Sequence, residues 1–366
     1  MKPRTEKELS EIIKSTTNAL IVKGGGTRYE YPIKSKIIDT RGFEGILDYT
    51  PGALTMVALA GTLVSDIEKV LADEGQMLAF EPSDYRGLLR AAGHSTIGGV
   101  FSTNASGPRR VQVGAARDFL LGVKFIDGNG VVIKSGGRVM KNVTGYDLVK
   151  LMAGSWGTLG VITEVSFKVL PRPEAEATLV LNISDHDRAI AAMTEAICSP
   201  YEANGLLFLP QKNQVYIRIE GFEVTVQYRM KKLKELLFRF GELAFHKDRA
   251  SKSIWLEFKN MHPISKTIGD LWKIVVKPSD APKVYKSCGL TSGYYDWAGG
   301  LIWAEVPKGH DPRPFLKNFP GYATRIRGHD KMISKFQPQN IGLEKITNQI
   351  KSQFDPRGIL NRGLMN

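Results

Sequence analysis

The sequence predicts an α+β fold in which a glycine-rich N-terminal part precedes an α+β domain with an antiparallel sheet. Its 366 residues are enough for two domains. Glycine supplies 14 of the 68 residues at 93–160, against 37 of 366 overall, and apolar strand patterns interrupt those glycines. After the Pro171-Arg-Pro173 stretch, strand and helix patterns follow one another in βαββαβ order twice, which is typical of two ferredoxin-like units.

The first 170 residues predict a small α/β unit and then an antiparallel hairpin and strand. Apolar residues at helical spacing predict helices at 6–17 and 62–74. Short apolar runs predict strands at 19–23, 37–39, 54–60, 121–127, 131–134 and 161–170. The Gly128-Asn129-Gly130 turn joins the fourth and fifth of these strands as a hairpin.

The remaining residues predict one antiparallel sheet with helices on one face. The first repeat has strands at 178–183, 205–209, 215–220 and 243–246, with helices at 187–198 and 224–240. The second has strands at 271–276, 294–297, 300–306 and 322–327, with helices at 281–287 and 314–319. The tail at 353–361 is rich in turn residues, and we expect it to pack back on an earlier domain.

Composition excludes several classes of protein. Hydrophobic residues make up 42% and charged residues 24%, as in a soluble globular protein. No run approaches the roughly 18 apolar residues of a membrane helix, and the charged N-terminus is unlike a signal peptide. Cys198 and Cys288 are too few for a disulfide framework, a zinc site or an iron–sulfur cluster, so we expect a cytoplasmic location.

The net charge of +13 leaves several partners open. Nucleic acid, an anionic membrane surface and acidic small molecules or proteins all attract such a chain. The densest basic clusters are Arg109-Arg110 and Lys231-Lys232-Leu-Lys234, and neither zinc-finger nor RRM signatures occur. A solvated face that keeps the protein soluble explains the charge equally well.

Two glycine-rich segments predict a site for a buried diphosphate. They are Gly24-Gly25-Gly26-Thr27 and the segment 98–107, which Arg109 and Arg110 follow. Backbone N–H groups can reach phosphate oxygens where no Cβ blocks the approach, and the two arginines can balance the charge. Neither a Gly-x-Gly-x-x-Gly fingerprint nor a Walker A motif occurs, which argues against a Rossmann site or a P-loop.

Four motifs together resemble a known family. They are Gly-His-Ser-Thr-Ile-Gly-Gly-Val at 93–100, Asn-Ala-Ser-Gly-Pro-Arg-Arg at 104–110, Lys-Asn-Val-Thr-Gly-Tyr-Asp at 141–147 and Gly-Ser-Trp-Gly-Thr-Leu-Gly at 154–160. They are similar to the vanillyl-alcohol oxidase (PCMH-type) FAD-binding family, especially its FAD-binding subunits of glycolate oxidases. Asp-Trp-Ala-Gly-Gly at 296–300 and Asp-Pro-Arg-Gly-Ile-Leu-Asn at 355–361 extend the likeness over nearly the whole chain.

The resemblance implies three regions and a bound FAD. The regions are a two-part PCMH-type FAD-binding domain at 1–172, an α+β cap domain at 173–328 and a C-terminal segment at 329–366. The expected FAD-binding residues are Gly24, Gly25, Gly26, Thr27, Pro82, Thr96, Gly98, Gly99, Ser102, Thr103, Asn104, Gly107, Arg109, Asp147, Gly157, Thr158, Val161 and Ile162. Asp147 suits an N-cap before residues 148–152 nearly as well, and Trp156 suits core packing better than stacking on the flavin.

We expect the FAD to be non-covalent. Some members of the family link it through a histidine in the first glycine loop, and here that loop has none. His94 is the nearest histidine, and an ordinary loop histidine is the preferred interpretation.

The histidine motifs that hold metal and abstract a proton in related 2-hydroxy-acid dehydrogenases are missing, and all six histidines are scattered. We therefore assign no catalytic residue and expect no metal. The resemblance implies a subunit of a complex that oxidises glycolate to glyoxylate, with a paralogous FAD subunit carrying the substrate site and an iron–sulfur subunit accepting electrons. Such a complex could bring the chain to the inner face of the cytoplasmic membrane. A stand-alone FAD-dependent D-2-hydroxy-acid dehydrogenase and a non-catalytic flavin-holding assembly subunit are the alternatives.

Overall fold

Two antiparallel sheets organise the protein. The computed structural model describes residues 1–28, 36–138, 145–330 and 332–365, so the Lys-Asn-Val-Thr part of the third motif lies outside the described residues. One sheet has five strands and the other has eight, and two further sheets have two strands each. The predicted α+β class with an antiparallel sheet is confirmed.

The N-terminal part contains seven helices and nine strands among the described residues. The helices are α1 (Glu6–Ser15), α2 (Val64–Asp73), α3 (Arg86–Leu89), α4 (Ile97–Ser102), α5 (Arg110–Val113), α6 (Ala116–Phe119) and α7 (Leu148–Met152). The strands are β1 (Leu20–Lys23), β2 (Lys36–Asp39), β3 (Ile46–Thr50), β4 (Thr55–Leu59), β5 (Gln76–Met77), β6 (Leu120–Ile126), β7 (Val132–Gly136), β8 (Val161–Lys168) and β9 (Leu170–Pro171).

These strands divide the N-terminal part into two lobes. Strands β1 and β2 pair in parallel beside α1, while β3-β4-β8-β6-β7 form the five-stranded sheet. The predicted hairpin is confirmed, because β6 and β7 pair antiparallel with Ile126 opposite Val132 across the glycine turn. Each lobe has its own buried cluster, one around Leu9 and the other around Phe101.

The rest of the chain supplies eight strands and six helices among the described residues. The strands are β10 (Ala175–Asn182), β11 (Gly205–Leu209), β12 (Gln214–Gly221), β13 (Leu243–Lys247), β14 (Asp270–Val276), β15 (Ser292–Asp296), β16 (Leu301–Val306) and β17 (Gly321–Arg327). The helices are α8 (His186–Cys198), α9 (Glu223–Leu237), α10 (Asp248–Lys259), α11 (His262–Ser265), α12 (Ala281–Ser287) and α13 (Ile341–Phe354).

The predicted pseudo-repeat is present in the eight-stranded sheet, whose order is β13-β10-β12-β11-β15-β16-β14-β17. Each half has its four strands in the ferredoxin-like order 4-1-3-2, and the halves join where β11 meets β15. The helix predicted at 314–319 is wrong: only a 3-10 turn forms at Arg313–Leu316, and Pro320 prevents its extension. Helices α10, α11 and α13 were not predicted.

The two faces of the eight-stranded sheet differ in chemistry because side chains alternate along each strand. On one face Trp272 and Ile274 pack with α8, α9 and α12 in a large apolar cluster. The opposite face, here called the inner face, carries Arg218, Lys273, Tyr294, Asp296 and Trp303. Tyr85 and Leu88 of the N-terminal part pack against it.

The chain end returns to the N-terminal lobe. Ile359 and Leu360 pack with Leu9 and Ile13, and Leu360 forms a parallel bridge with Leu20. In the part of the chain that the structure describes, no helix is both long and apolar enough to span a bilayer.

Candidate functional site

The two glycine-rich segments meet backbone to backbone. A Cβ added at Gly25 would overlap the carbonyl oxygen of His94, and one added at Gly93 would overlap the carbonyl oxygen of Gly25. Only glycine allows two backbones to approach so closely. These two glycines therefore hold the segment after β1 against the segment that leads into α4.

The second glycine segment begins within a helix. Gly98 and Gly99 lie inside α4, where Thr96 is the N-cap and its Oγ1 accepts a hydrogen bond from Gly99 N at 3.4 Å. Gly98 N donates to the Ala60 carbonyl oxygen at 2.8 Å, and a Cβ at Gly98 would lie 2.6 Å from the Ala60 Cβ. The helix can therefore lie directly against the end of β4 only because residue 98 has no side chain.

A cleft opens between these segments and is here called the glycine cleft. Eleven of the eighteen expected FAD-binding residues line it. They are Gly24, Gly25, Gly26, Thr27, Thr96, Gly98, Gly99, Ser102, Thr103, Gly157 and Ile162. They come from four separate stretches of the chain, so the fold brings together residues that are distant in sequence.

Seven expected residues do not line the glycine cleft, and four of them are Pro82, Asn104, Thr158 and Val161. Asn104 Oδ1 accepts a hydrogen bond from Arg117 N at 2.9 Å, and Thr158 Oγ1 donates to the Ser155 carbonyl oxygen at 2.7 Å. Val161 is fully buried in β8, opposite Ile126. Asn104 and Thr158 thus fix the backbone near the cleft.

Gly107 and Asp147 have structural contacts instead. A Cβ at Gly107 would overlap the Glu81 carbonyl oxygen, and the Gly107 carbonyl oxygen accepts a hydrogen bond from Trp297 Nε1 at 3.1 Å. Asp147 is the N-cap of α7, and its Oδ1 accepts from Lys150 N at 3.1 Å. The capping interpretation of Asp147 therefore describes its geometry.

The sequence suggested that Arg109 balances the charge of a diphosphate. In the structure Arg109 does not line the glycine cleft. Its guanidinium pairs with Glu220 of β12, beside a bidentate pair in which Arg218 donates to Glu81 at 2.9 and 3.0 Å. Burial acts to raise the pKa of Glu81, but Arg218 and Arg109 outweigh it and the pKa is lowered. This buried network ties the N-terminal part to the inner face.

Nine of the twenty residues that line the glycine cleft were not among the expected ones, and Arg28 and Asn361 are polar members of this group. Arg28 is 6% exposed, and its Nη2 donates to the Ser83 carbonyl oxygen at 2.6 Å. Asn361 accepts from Val22 N at 2.8 Å and donates to the Trp156 carbonyl oxygen at 2.6 Å. Asn361 is the last residue of the motif at 355–361, so a sequence signal for it existed. Arg28 had no sequence signal other than its position directly after the first glycine loop.

The glycine cleft fits a cofactor that carries a diphosphate. Its walls are largely backbone and small side chains, so N–H groups can approach acceptor oxygens. Nε and Nη1 of Arg28 are buried and have no hydrogen-bond partner among the described residues. A buried cation with two unpaired donors is costly unless an anion accepts from it.

Comparisons with known proteins agree with this geometry. Residues 1–136 match the FAD binding domain family. The chain is 35% identical to glycolate oxidase subunit GlcE of Escherichia coli (strain K12), over 96% of this chain and 93% of that protein. It is 29% identical to glycolate oxidase subunit GlcD of Bacillus subtilis (strain 168), over 59% of this chain and 46% of that protein.

A solved structure shares the fold. Alkyldihydroxyacetonephosphate synthase superposes with a TM-score of 0.72 at 14% identity, over 99% of this chain and 76% of that chain. The match in sequence and the match in fold both span almost the entire chain. The chain is therefore a member of the PCMH-type FAD-dependent oxidoreductase family that contains glycolate oxidase subunit GlcE, and FAD is its cofactor.

Proposed function

We propose that this chain is the FAD-binding subunit of a glycolate oxidase complex that oxidises glycolate to glyoxylate. A paralogous FAD subunit and an iron–sulfur subunit are its proposed partners, and electrons pass through flavin to the iron–sulfur subunit. The complex associates peripherally with the cytoplasmic membrane. The observation that carries the proposal is the 35% identity to GlcE over nearly the full length of both chains.

The residues of the glycine cleft would hold the cofactor. Gly24–Thr27 and Thr96–Gly99 would line it from two facing segments of backbone and small side chains, and Arg28 supplies a buried cation. When bound, FAD supplies a two-electron acceptor for the oxidation of an alcohol carbon. Among the described residues that line the glycine cleft there is no histidine, and we propose that the FAD is held without a covalent bond.

The proposal is tested by comparing the purified chain with the assembled complex. Each is mixed with glycolate in the absence of oxygen, and the flavin absorbance near 450 nm is followed. Bleaching that requires the partner subunits supports the proposal. Bleaching by the lone chain at the same rate would instead identify a self-contained dehydrogenase. A complex that stays active after this chain's FAD is removed would identify a flavin-holding assembly subunit.

A further inference from the structure

Helix α9 is apolar on two opposite sides. The side that packs on the eight-stranded sheet supplies four residues to the large apolar cluster there: Val226, Met230, Leu233 and Leu237. On the solvent side, Val224 is 80% exposed, Tyr228 is 58% exposed and Phe238 is 70% exposed. A surface helix normally has one apolar face, so the second one indicates a surface that another molecule covers.

The exposed apolar residues belong to one line along the helix, here called the outward stripe. Its members follow one another at alternating intervals of four and three residues, all are exposed, and they are Val224, Tyr228, Lys231, Glu235 and Phe238. Phe238 directly follows the last residue of α9 and keeps helical backbone angles. Intervals of four and three place side chains on one side of a helix, and two packed helices share this spacing. The outward stripe therefore has the pattern of a helix–helix contact.

The two polar members of the outward stripe carry opposite charges. Glu235 pairs with Lys232 of its own helix at 2.7 Å, whereas Lys231 makes no ion pair with any residue that the structure describes. An exposed pair three residues apart contributes little to stability, and a carboxylate can accept from more than one cation. Lys231 and Glu235 can therefore both bind an opposite charge on another molecule.

A second α9 helix that runs antiparallel supplies these charges in the right places. When the two helices cross at the level of Leu233, residues equally distant from it on either side face each other. Lys231 of one copy then faces Glu235 of the other, and Tyr228 faces Phe238 in the same way. Two-fold symmetry repeats both contacts, so two ion pairs lie between two aromatic pairs. A parallel arrangement would instead bring each charge against its own kind.

We propose that two copies of this chain pair through their outward stripes as an antiparallel, two-fold symmetric dimer. The ion pairs fix the register of the helices, while the aromatic pairs bury apolar surface. An anionic membrane surface is a poorer match, because the carboxylate of Glu235 lies between Tyr228 and Phe238 along the stripe.

The proposed dimer leaves the cofactor site accessible. Helix α9 packs on the face of the eight-stranded sheet opposite to the inner face, whereas the N-terminal part, which contains the glycine cleft, packs against the inner face. Pairing of two copies is therefore independent of which substrate the proposed complex oxidises. Flavin absorbance should be the same in every variant of the outward stripe.

The test is sedimentation equilibrium of the full chain with its FAD, between about 1 and 100 µM. We expect the mass to rise from that of one chain towards that of two as the concentration increases. Lys231→Glu and Glu235→Lys each place like charges against one another across the dimer, and each should weaken it at least about 10-fold. Lys69→Glu makes the same change of charge on the exposed side of α2 and should leave the dimer unchanged.

An equimolar mixture of Lys231→Glu and Glu235→Lys chains tests the register itself. In the mixed dimer each charge of one copy again faces the opposite charge of the other, so the mixture should associate as tightly as wild type. Phe238→Ser changes no charge and should weaken the dimer about 10-fold, which keeps the inference testable should a charge variant not fold.

Two results would overturn the inference. One is a wild-type chain that remains monomeric over this concentration range, including one that instead binds anionic vesicles or the partner subunits through α9. The other is a mixture of the two charge variants that associates no more tightly than either variant alone. Circular dichroism of each variant shows separately whether the fold is intact.

Discussion

The glycine cleft and the inner face are built from different kinds of residue. The cleft is made of backbone and small side chains from segments that are each continuous in sequence. The inner face is made of large charged and aromatic side chains, such as Lys273 and Trp303, that come one at a time from different strands.

The two regions also differ in how their polar groups are satisfied. Glycines of the cleft are fixed by backbone contacts, such as that between Gly25 and His94. On the inner face, the pair of Arg218 with Glu81 is fully matched, while Lys273 and Arg110 are unpaired among the described residues. The matched pairs join the N-terminal part to the inner face, whereas the two unpaired cations lie over aromatic rings.

The largest effect is expected from Gly25→Ala in the glycine cleft. The new Cβ would overlap the His94 carbonyl oxygen, so the two segments must separate. We expect a cost of at least about 4 kcal/mol and a loss of FAD affinity of about 1,000-fold. Equilibrium dialysis with FAD measures it. Gly52→Ala is the matched control, since nothing lies within 4 Å of its added Cβ, and unchanged FAD binding by both variants would refute the cleft's geometry.

The next largest effect is expected from Arg218→Met, which removes a paired arginine of the inner face. Arg218→Met removes the bidentate buried partner of Glu81 and leaves Arg109 as the one arginine that pairs with Glu220 among the described residues, and we expect the free energy of unfolding to fall by about 3 kcal/mol. Urea unfolding followed by circular dichroism measures the change. Arg41→Met removes an exposed ion pair and should cost less than about 1 kcal/mol. Equal losses in the two variants would show that the buried network does not stabilise the contact between the N-terminal part and the inner face.

A smaller effect of opposite sign is expected from Lys273→Met. The pKa of Lys273 is about 7 in the folded protein against 10.5 as its ordinary value. Between about pH 7 and pH 10.5 the unfolded chain therefore binds a proton that the folded chain lacks. The resulting loss of folding free energy is complete below about pH 7 and disappears above pH 10.5. The variant should be more stable than wild type by about 1–2 kcal/mol at pH 7.

The control for Lys273→Met is Lys286→Met, whose lysine is exposed and should change stability by less than about 0.5 kcal/mol. Urea midpoints at pH 7 and pH 10.5 provide the comparison, and the advantage of Lys273→Met should shrink at the higher pH. A variant that is less stable than wild type at pH 7 would show that Lys273 has a stabilising partner.

The smallest effect is expected at Asn361, where the returning chain end closes the glycine cleft. Asn361→Ala removes its hydrogen bonds with Val22 and Trp156, which should lower the free energy of unfolding by about 1 kcal/mol and weaken FAD binding several-fold. Asn348→Ala, on the exposed side of α13, is the control. If both variants bind FAD equally well, the chain end does not support the cleft.

The glycine cleft could largely be predicted because its signals are local. Glycine runs such as 24–26 mark positions where a side chain would clash, and that requirement is visible in consecutive residues. The ferredoxin-like repeat was predictable for the same reason, since each strand and helix has its own periodicity. Helix α10 was missed even though its buried Ser251, Trp255 and Phe258 recur at the i, i+4, i+7 spacing of a helix face.

The inner face could not be predicted in this way. Lys273 lies within an apolar strand, and only the strand register places it beside Trp303, thirty positions away. Arg109 shows the same limit: its neighbours in sequence suggested a diphosphate partner, whereas the fold supplies Glu220. Long-range pairing between charged side chains has no local sequence signal.

The most direct test of the account is the flavin content of the purified wild-type chain before and after acid precipitation. We predict a yellow protein with about one FAD per chain, all of which remains in the supernatant when the protein is precipitated. A correctly folded chain that is colourless and takes up no FAD would contradict the glycine cleft as a cofactor site. Flavin retained on the precipitate would contradict non-covalent binding.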